Sequence, residues 1–194
     1  MRQSSVAIIG AGIFGISCAL ELASKTDLRI ALFEQHDDIM REGTFFNQYR
    51  HHFGYHYPRS DETARQCIAA DADFRSLWGA AIVENFPAYY AIAREGSKVS
   101  SDDFLAFCER HHLPYIKEYP DSSLLNSDAV SLCIRTSEPI YDYAKLKYMA
   151  KEALKAAPAI EVNLNSRVLG GQISEQDGKK NLDIARTSSV ETRD

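Results

Sequence analysis

Three glycines and one acid carry the clearest chemistry in this chain. They stand in Gly10-Ala11-Gly12-Ile13-Phe14-Gly15 and at Glu34, 19 residues beyond Gly15. Such a turn suits a pyrophosphate. Gly10 permits the tight reversal, Gly12 offers no Cβ to hold the phosphates off the backbone, and Gly15 lets a helix pack closely, with the small Ala19 one turn on. The N–H groups of Ile13 and Phe14 are expected to face the phosphates at the positive end of that helix. A carboxylate at Glu34 would accept hydrogen bonds from ribose hydroxyls and repel a 2′-phosphate, which disfavours NADP. The plain alternative is a glycine turn that holds no ligand. Spacing alone leaves FAD and NAD both open.

These residues need a strand before the turn, a helix after it and a second strand to carry the acid. Residues 5–9 form a short apolar, β-branched run that reads as a buried strand. Residues 13–24 place Ile16, Ala19, Leu20 and Ala23 at helical spacing, and residues 29–33 are again an apolar strand, closed by Glu34. Residues 35–59 show no period and are expected to be loop. Ser60 can cap a helix with Asp61 and Glu62 in its first turn, and its apolar face continues to about Val83. Residues 87–93 read as a strand, and Ser101 is expected to cap a helix that stops before Pro114. Residues 115–119 and 131–136 are strand candidates. A helix over 142–157 ends at Pro158, and 160–168 reads as one strand. Residues 172–174 and 182–185 look like hairpin arms turning at Asp177-Gly178. The polar tail 187–194 should be frayed.

The stretch from Gly10 to Glu34 resembles the start of the D-amino-acid-oxidase-like family of FAD-dependent oxidoreductases. The resemblance continues through Glu42-Gly43-Thr44 and into a loop from Asn47 to Ser60 containing His52, Gly54, His56, Tyr57 and Pro58. That loop is similar to the Asn…His-x-Gly-x-x-Tyr stretch of L-2-hydroxyglutarate oxidase-type members. The resemblance implies an α/β fold: a Rossmann-type FAD-binding βαβ domain with part of an antiparallel substrate-binding sheet. It places the FAD-binding part at 1–83 and 137–186 and the substrate-binding part at 84–136. It assigns FAD to Gly10, Ala11, Gly12, Ile13, Phe14, Gly15, Glu34, Gln35, Thr44, Asn47 and, through its backbone, Val168. It puts His52 near the flavin as the candidate catalytic residue. The implied reaction is oxidation of a small amine, amino acid or 2-hydroxy acid by hydride transfer to flavin N5. Family members are typically about twice as long. The chain is therefore expected to be an incomplete member, weak in FAD binding, with an unpaired sheet edge that favours self-association. A non-catalytic nucleotide-binding remnant and an NAD-dependent dehydrogenase remain the alternatives.

Composition narrows the partners. With 45% apolar and 25% charged residues the chain is ordinary for a globular protein, and a net charge of −5 without a basic stripe argues against nucleic acid. The uncharged run 6–20 after Arg2 could pass for a secretory core, but it is short for a membrane span, which needs about 20 residues. The cysteines at 18, 67, 108 and 133 form no Cys-x-x-Cys pair. They read as small buried apolar residues in a reducing compartment, expected to be the cytoplasm. His51, His52 and His56 cluster, but Gly54 and Pro58 argue against the helix that metal-ligand spacing would need, and no metal is expected. Arg50 and Arg59 could meet a phosphate, a substrate carboxylate or a surface acid. Tyr89, Tyr90, Tyr115 and Tyr119 could line a substrate cavity or be half-buried strand residues. His111 and His112 suit a helix C-terminus.

Overall fold

The computed structural model describes residues 6–85, 87–176 and 179–187. In chain order the elements are β1 (Val6–Ile9), α1 (Ile13–Lys25), β2 (Ile30–Phe33), α2 (Gly43–Phe46), α3 (Asp61–Trp78), β3 (Ile82–Val83), β4 (Ala88–Ala93) and α4 (Ser101–Arg110). They continue with β5 (Tyr115–Lys117), β6 (Val130–Thr136), β7 (Ile140–Tyr141), α5 (Tyr143–Lys155), β8 (Ile160–Asn163), β9 (Arg167–Gln176) and β10 (Lys179–Thr187). The chain divides into two compact units, one of residues 1–48 with 144–194 and one of residues 49–143. The second unit is wider than the 84–136 segment expected from sequence, because it takes in the Asn47–Ser60 loop from residue 49, all of α3 and the β7 strand.

The first unit is built on a parallel sheet in the order β1-β2-β8. Val6 faces Ile30 and Ile30 faces Ile160, so β2 lies between the other two. All four residues of β2 are buried, as an unbroken apolar run between two parallel neighbours should be. α1 turns Ile16 and Ala19 inward, and α5 buries Leu146, Ala150 and Leu154 at four-residue spacing. Asp38 ties the loop after β2 to α5, meeting Lys147 Nζ at 2.9 Å and Lys151 Nζ at 2.8 Å. β9 and β10 form an antiparallel hairpin whose turn at 177–178 lies outside the described residues. Its base is fastened by Arg186, which donates to Asn163 Oδ1 at 2.8 Å and lies over the Phe33 ring.

In the second unit α4 faces an antiparallel sheet in the order β4-β6-β5. Phe104, Phe107 and Cys108 of α4 pack with Leu132 and Ile134 of β6 and with Tyr55 from the loop. The short pair β3–β7 closes this unit through Ile82 opposite Tyr141.

Several sequence expectations need correction. The helix expected to reach Val83 ends at Trp78, where Gly79 interrupts it and a single 3₁₀ turn leads into β3. α4 is capped by Ser100, not Ser101: the Ser100 hydroxyl accepts from Asp103 N–H and donates to Asp103 Oδ2 at 2.7 Å. The single strand expected over 160–168 is two, broken at Asn165, where φ is +50°. Cys18 is exposed and Cys67 half-buried; Cys108 and Cys133 are buried, and all four thiols are free. Cys18 points away because Ile16 and Ala19 occupy the inward face of α1. The 35–59 loop also contains the single helical turn α2. Residues 188–194 of the expected tail lie outside the described residues, while Thr187 belongs to β10.

Candidate functional site: the nucleotide cleft

The parallel pairing of β1 with β2 sets the turn and the acid side by side. Ile9 pairs with Phe33, and Gly10 N–H donates to Phe33 O at 2.8 Å. Gly10 has φ +97°, a conformation costly for any residue with a side chain. A Cβ at Gly15 would lie 2.0 Å from Gly10 O, so the first turn of α1 packs directly on the turn that precedes it. The glycine at 15 thus serves packing, as expected, and its immediate neighbour is the Gly10 carbonyl.

Glu34 is held from both sides. Its Oε2 accepts Ala11 N–H at 2.9 Å and its Oε1 accepts His36 N–H at 3.0 Å. Its own N–H donates to Asn163 O, and its carbonyl accepts Ser166 N–H at 2.7 Å. Only 6% of the residue is exposed. A carboxylate offers about four lone-pair sites, and these two bonds use one on each oxygen. What remains on Oε1 and Oε2 can accept a vicinal diol.

In front of this carboxylate lies a cleft of about 290 Å³ bordered by Gly10, Gly12, Glu34, Gln35, Arg41 and Val168. Its volume is at the low end for small-molecule pockets and suits a nucleoside-sized portion of a ligand. Gly10, Gly12, Glu34, Gln35 and Val168 were expected at the cofactor and are brought together here. Arg41 and Arg167 also line the cleft and were missed. Arg41 sits in a loop without periodicity and pairs with Asp37 Oδ1 at 2.7 Å. Glu42, at the same rim, is held by His36 Nε2 at 2.6 Å.

Other expected ligands are placed differently. Ile13 N–H does not point into open space; it donates to the Thr44 hydroxyl at 3.0 Å. Thr44, buried in α2, therefore contacts the start of α1 and is part of the site's frame. A Cβ at Gly12 would meet that same Thr44 Oγ1 at 3.3 Å, a tight contact, so Gly12 eases the approach of α2 as well as keeping access open. The Phe14 side chain is 89% exposed. Asn47 is exposed at the C-terminal end of α2 and does not line the cleft.

His52 belongs to the second unit, where sequence reasoning missed its chief neighbour. Glu138, between β6 and β7, is 1% exposed. Its Oε1 accepts Phe53 N–H at 2.7 Å and its Oε2 accepts the Tyr90 hydroxyl at 2.5 Å. His52 Nδ1 lies 3.9 Å from Glu138 Oε1, buried and without a hydrogen-bond partner. Burial lowers the proton affinity of His52 and the Glu138 charge opposes that, with His56, Arg50 and His51 adding to the lowering. Burial and the same carboxylate push the Tyr90 hydroxyl well above its ordinary value. The Arg50 guanidinium lies 4.7 Å over the Tyr90 ring; among the described residues neither Arg50 nor Arg59 forms an ion pair. His51 is paired with Asp71 at 2.6 Å and stacked on Phe74. Tyr89 donates to Glu118, and Tyr115 borders a cavity in this unit. His111 meets Asp61 at 2.7 Å. Among the described residues no group of three or more His, Cys, Asp or Glu is arranged to hold a metal, and no helix is long and apolar enough to cross a membrane.

The family model for FAD dependent oxidoreductases (DAO) matches residues 5–156. The chain belongs to that family. FAD is accordingly its cofactor, and the cleft agrees: a turn that presents Gly10 and Gly12, a clamped acid with lone pairs to spare and an opening between them. Among relatives, the FAD-dependent monooxygenase FPY4 of Fusarium mangiferae is 28% identical over 166 residues, 81% of this chain and 42% of that protein. The FAD-dependent monooxygenase kojA of Aspergillus flavus is 36% identical over 111 residues, 55% of this chain and 26% of that protein. The fold is similar to that of glycine oxidase from Geobacillus kaustophilus, with TM-score 0.72 and 15% identity over 97% of this chain and 54% of that one. It is also similar to L-alpha-glycerophosphate oxidase from Mycoplasma pneumoniae, with TM-score 0.70 and 17% identity over 97% and 51% of the two chains. The chain thus spans about half the length of these structures and less than half that of these relatives.

Proposed function

We propose that this chain carries the adenosine-binding half of a flavoenzyme that oxidises a small amine, amino acid or 2-hydroxy acid. The observation that carries this reading is the cleft in which the Gly10–Gly15 turn and the doubly clamped Glu34 meet. In it Glu34 would take the ribose diol, Gly12 and the start of α1 the pyrophosphate, and the Val168 backbone the adenine. Bound FAD would supply the hydride acceptor, and the protein's part is to orient substrate and tune the ring. The second unit supports the substrate side: an antiparallel sheet, and a loop whose His52 side chain remains partly accessible. The relatives' names point to monooxygenation and the structural neighbours' to oxidation of an amino acid or a glycerol phosphate, so the bond attacked is the part to be tested. Four free thiols support a reducing compartment, for which we propose the cytoplasm. The edge strands β1 and β8 favour self-association when the chain is isolated.

The test is to titrate FAD into the 194-residue chain, and to supply amines, amino acids and 2-hydroxy acids to a longer natural protein that contains it. Flavin reduction by one class under anaerobic conditions supports the reading and names the class. Saturable FAD binding with no reduction by any class would leave the nucleotide-binding remnant as the better account.

A further inference from the structure

The second unit contains a charge that the cofactor cleft does not use. Glu138 is buried, and its two hydrogen bonds come from neutral donors, Phe53 N–H and the Tyr90 hydroxyl. Among the described residues the only basic nitrogen within 4.0 Å of that carboxylate is His52 Nδ1, at 3.9 Å. That nitrogen is itself buried and unpartnered, whereas 26% of the His52 side chain remains accessible. The two observations complete each other. A buried polar atom without a partner is costly, and so is a buried carboxylate without a cation.

We propose that Glu138 is a positioning residue for His52: it fixes the imidazole with its proton on Nδ1, leaving Nε2 as the proton acceptor. An N–H at Nδ1 would point its positive end at the carboxylate, while a lone pair there would face the negative charge at the same short distance. The ring nitrogen that carries the proton is set by the partner of the other one. The 3.9 Å separation exceeds a hydrogen bond by about an ångström, so the contact is poised and a small ring movement completes it. When Nε2 takes a proton from a donor, the ring becomes an imidazolium with Glu138 as its counter-ion and the donor keeps the electron pair. Tyr90 and Phe53 keep the carboxylate in place for that purpose. His56 and Tyr57 face the ring from the same loop, while Arg50 and His51 bring the other nearby charges.

This assignment also deepens the reading of His52 as a substrate-side residue. An alcohol, or an amine that arrives as its ammonium form, releases one O–H or N–H proton as the adjacent carbon is oxidised, and Nε2 would receive it. That use rests on the proposed function; the tautomer does not, and the two are tested separately.

The experiment is ¹⁵N NMR of histidine-labelled chain across pH, for the parent, Glu138→Gln and Tyr90→Phe. In the parent, neutral His52 should show protonated Nδ1 and unprotonated Nε2. Glu138→Gln should shift it toward the Nε2–H form that free imidazole side chains prefer, and lower its proton affinity about tenfold. Tyr90→Phe removes a hydroxyl near the carboxylate and keeps the charge, so the Nδ1–H form should persist with proton affinity equal or higher. If Glu138→Gln fails to fold, the parent tautomer and the Tyr90→Phe comparison still decide. An Nε2–H tautomer in the parent, or equal effects of the two substitutions, would overturn the proposal. A confirmed tautomer combined with a His52→Asn longer protein that keeps full turnover and an unchanged pH profile would retain the pair and remove the substrate role.

Discussion

Glu34→Ala separates a ligand-binding acid from one that only braces a turn. In the protein Glu34 accepts Ala11 N–H at 2.9 Å and His36 N–H at 3.0 Å. Truncation releases both donors. Ala11 is fully buried, and an unsatisfied buried donor costs about 1–3 kcal/mol. The removed carboxylate leaves its space open to the cleft, so water can reach these groups and the stability loss should stay near about 1 kcal/mol. Binding should suffer more than folding. The ribose diol loses a charged acceptor, worth about 1.5–3 kcal/mol. At about 1.4 kcal/mol per tenfold, that is a roughly 10- to 150-fold weaker Kd for FAD. The assay is flavin fluorescence titration at a temperature where both proteins are folded by circular dichroism. A folded mutant with unchanged Kd would refute the reasoning and leave Glu34 as a brace for Ala11 and His36.

Three further outcomes are expected from the same geometry. Gly15→Ala places a methyl group against the Gly10 carbonyl, so it should cost about 1–3 kcal/mol in thermal unfolding and abolish FAD binding; a mutant matching the parent in both would show that the turn yields easily. Ser100→Ala should destabilise the chain by about 1 kcal/mol in chemical denaturation, while Ser101→Ala should cost less, because only Ser100 caps α4. Burial raises the Asp38 carboxyl, but hydrogen bonds from Lys147, Lys151 and Ile39 N–H outweigh it and hold the pKa at about 2. A lowered folded pKa means stability fully present above the ordinary 3.8 and lost as pH falls toward 2. Asp38→Asn should therefore cost about 1–2 kcal/mol at neutral pH, reduced by solvent screening, and the difference from the parent should shrink as pH falls toward 2 and vanish below it.

What could be read from sequence was local, and what was missed depended on distant partners. The β1–α1–β2 unit was legible because each part carries its own signal: an apolar run, glycines at fixed spacing, helical periodicity, then an acid. The cap of α4 was also legible in principle, since Ser100 has Asp103 three residues on whereas Ser101 has Phe104 there. The break at Asn165 was hidden because Ile160, Val162, Leu164 and Val168 alternate as one strand would. It arises where Asn165 and Ser166 donate to the His36 and Glu34 carbonyls as the chain passes the end of β2. Glu138 left no trace, because Phe53 and Tyr90, which bury and bond it, lie 85 and 48 residues away. Arg41 and Arg167 likewise join the cleft only once β2 and the start of β9 are in place.

The most direct test of the central claim is to map the amide resonances of the labelled chain as ADP, FAD and FMN are added in turn. The account predicts that ADP and FAD shift Gly10, Gly12, Gln35 and Val168 together, saturably and competitively, while FMN leaves those four unmoved. Shifts centred within residues 49–143, or an equal response to FMN and ADP at the cleft, would contradict it.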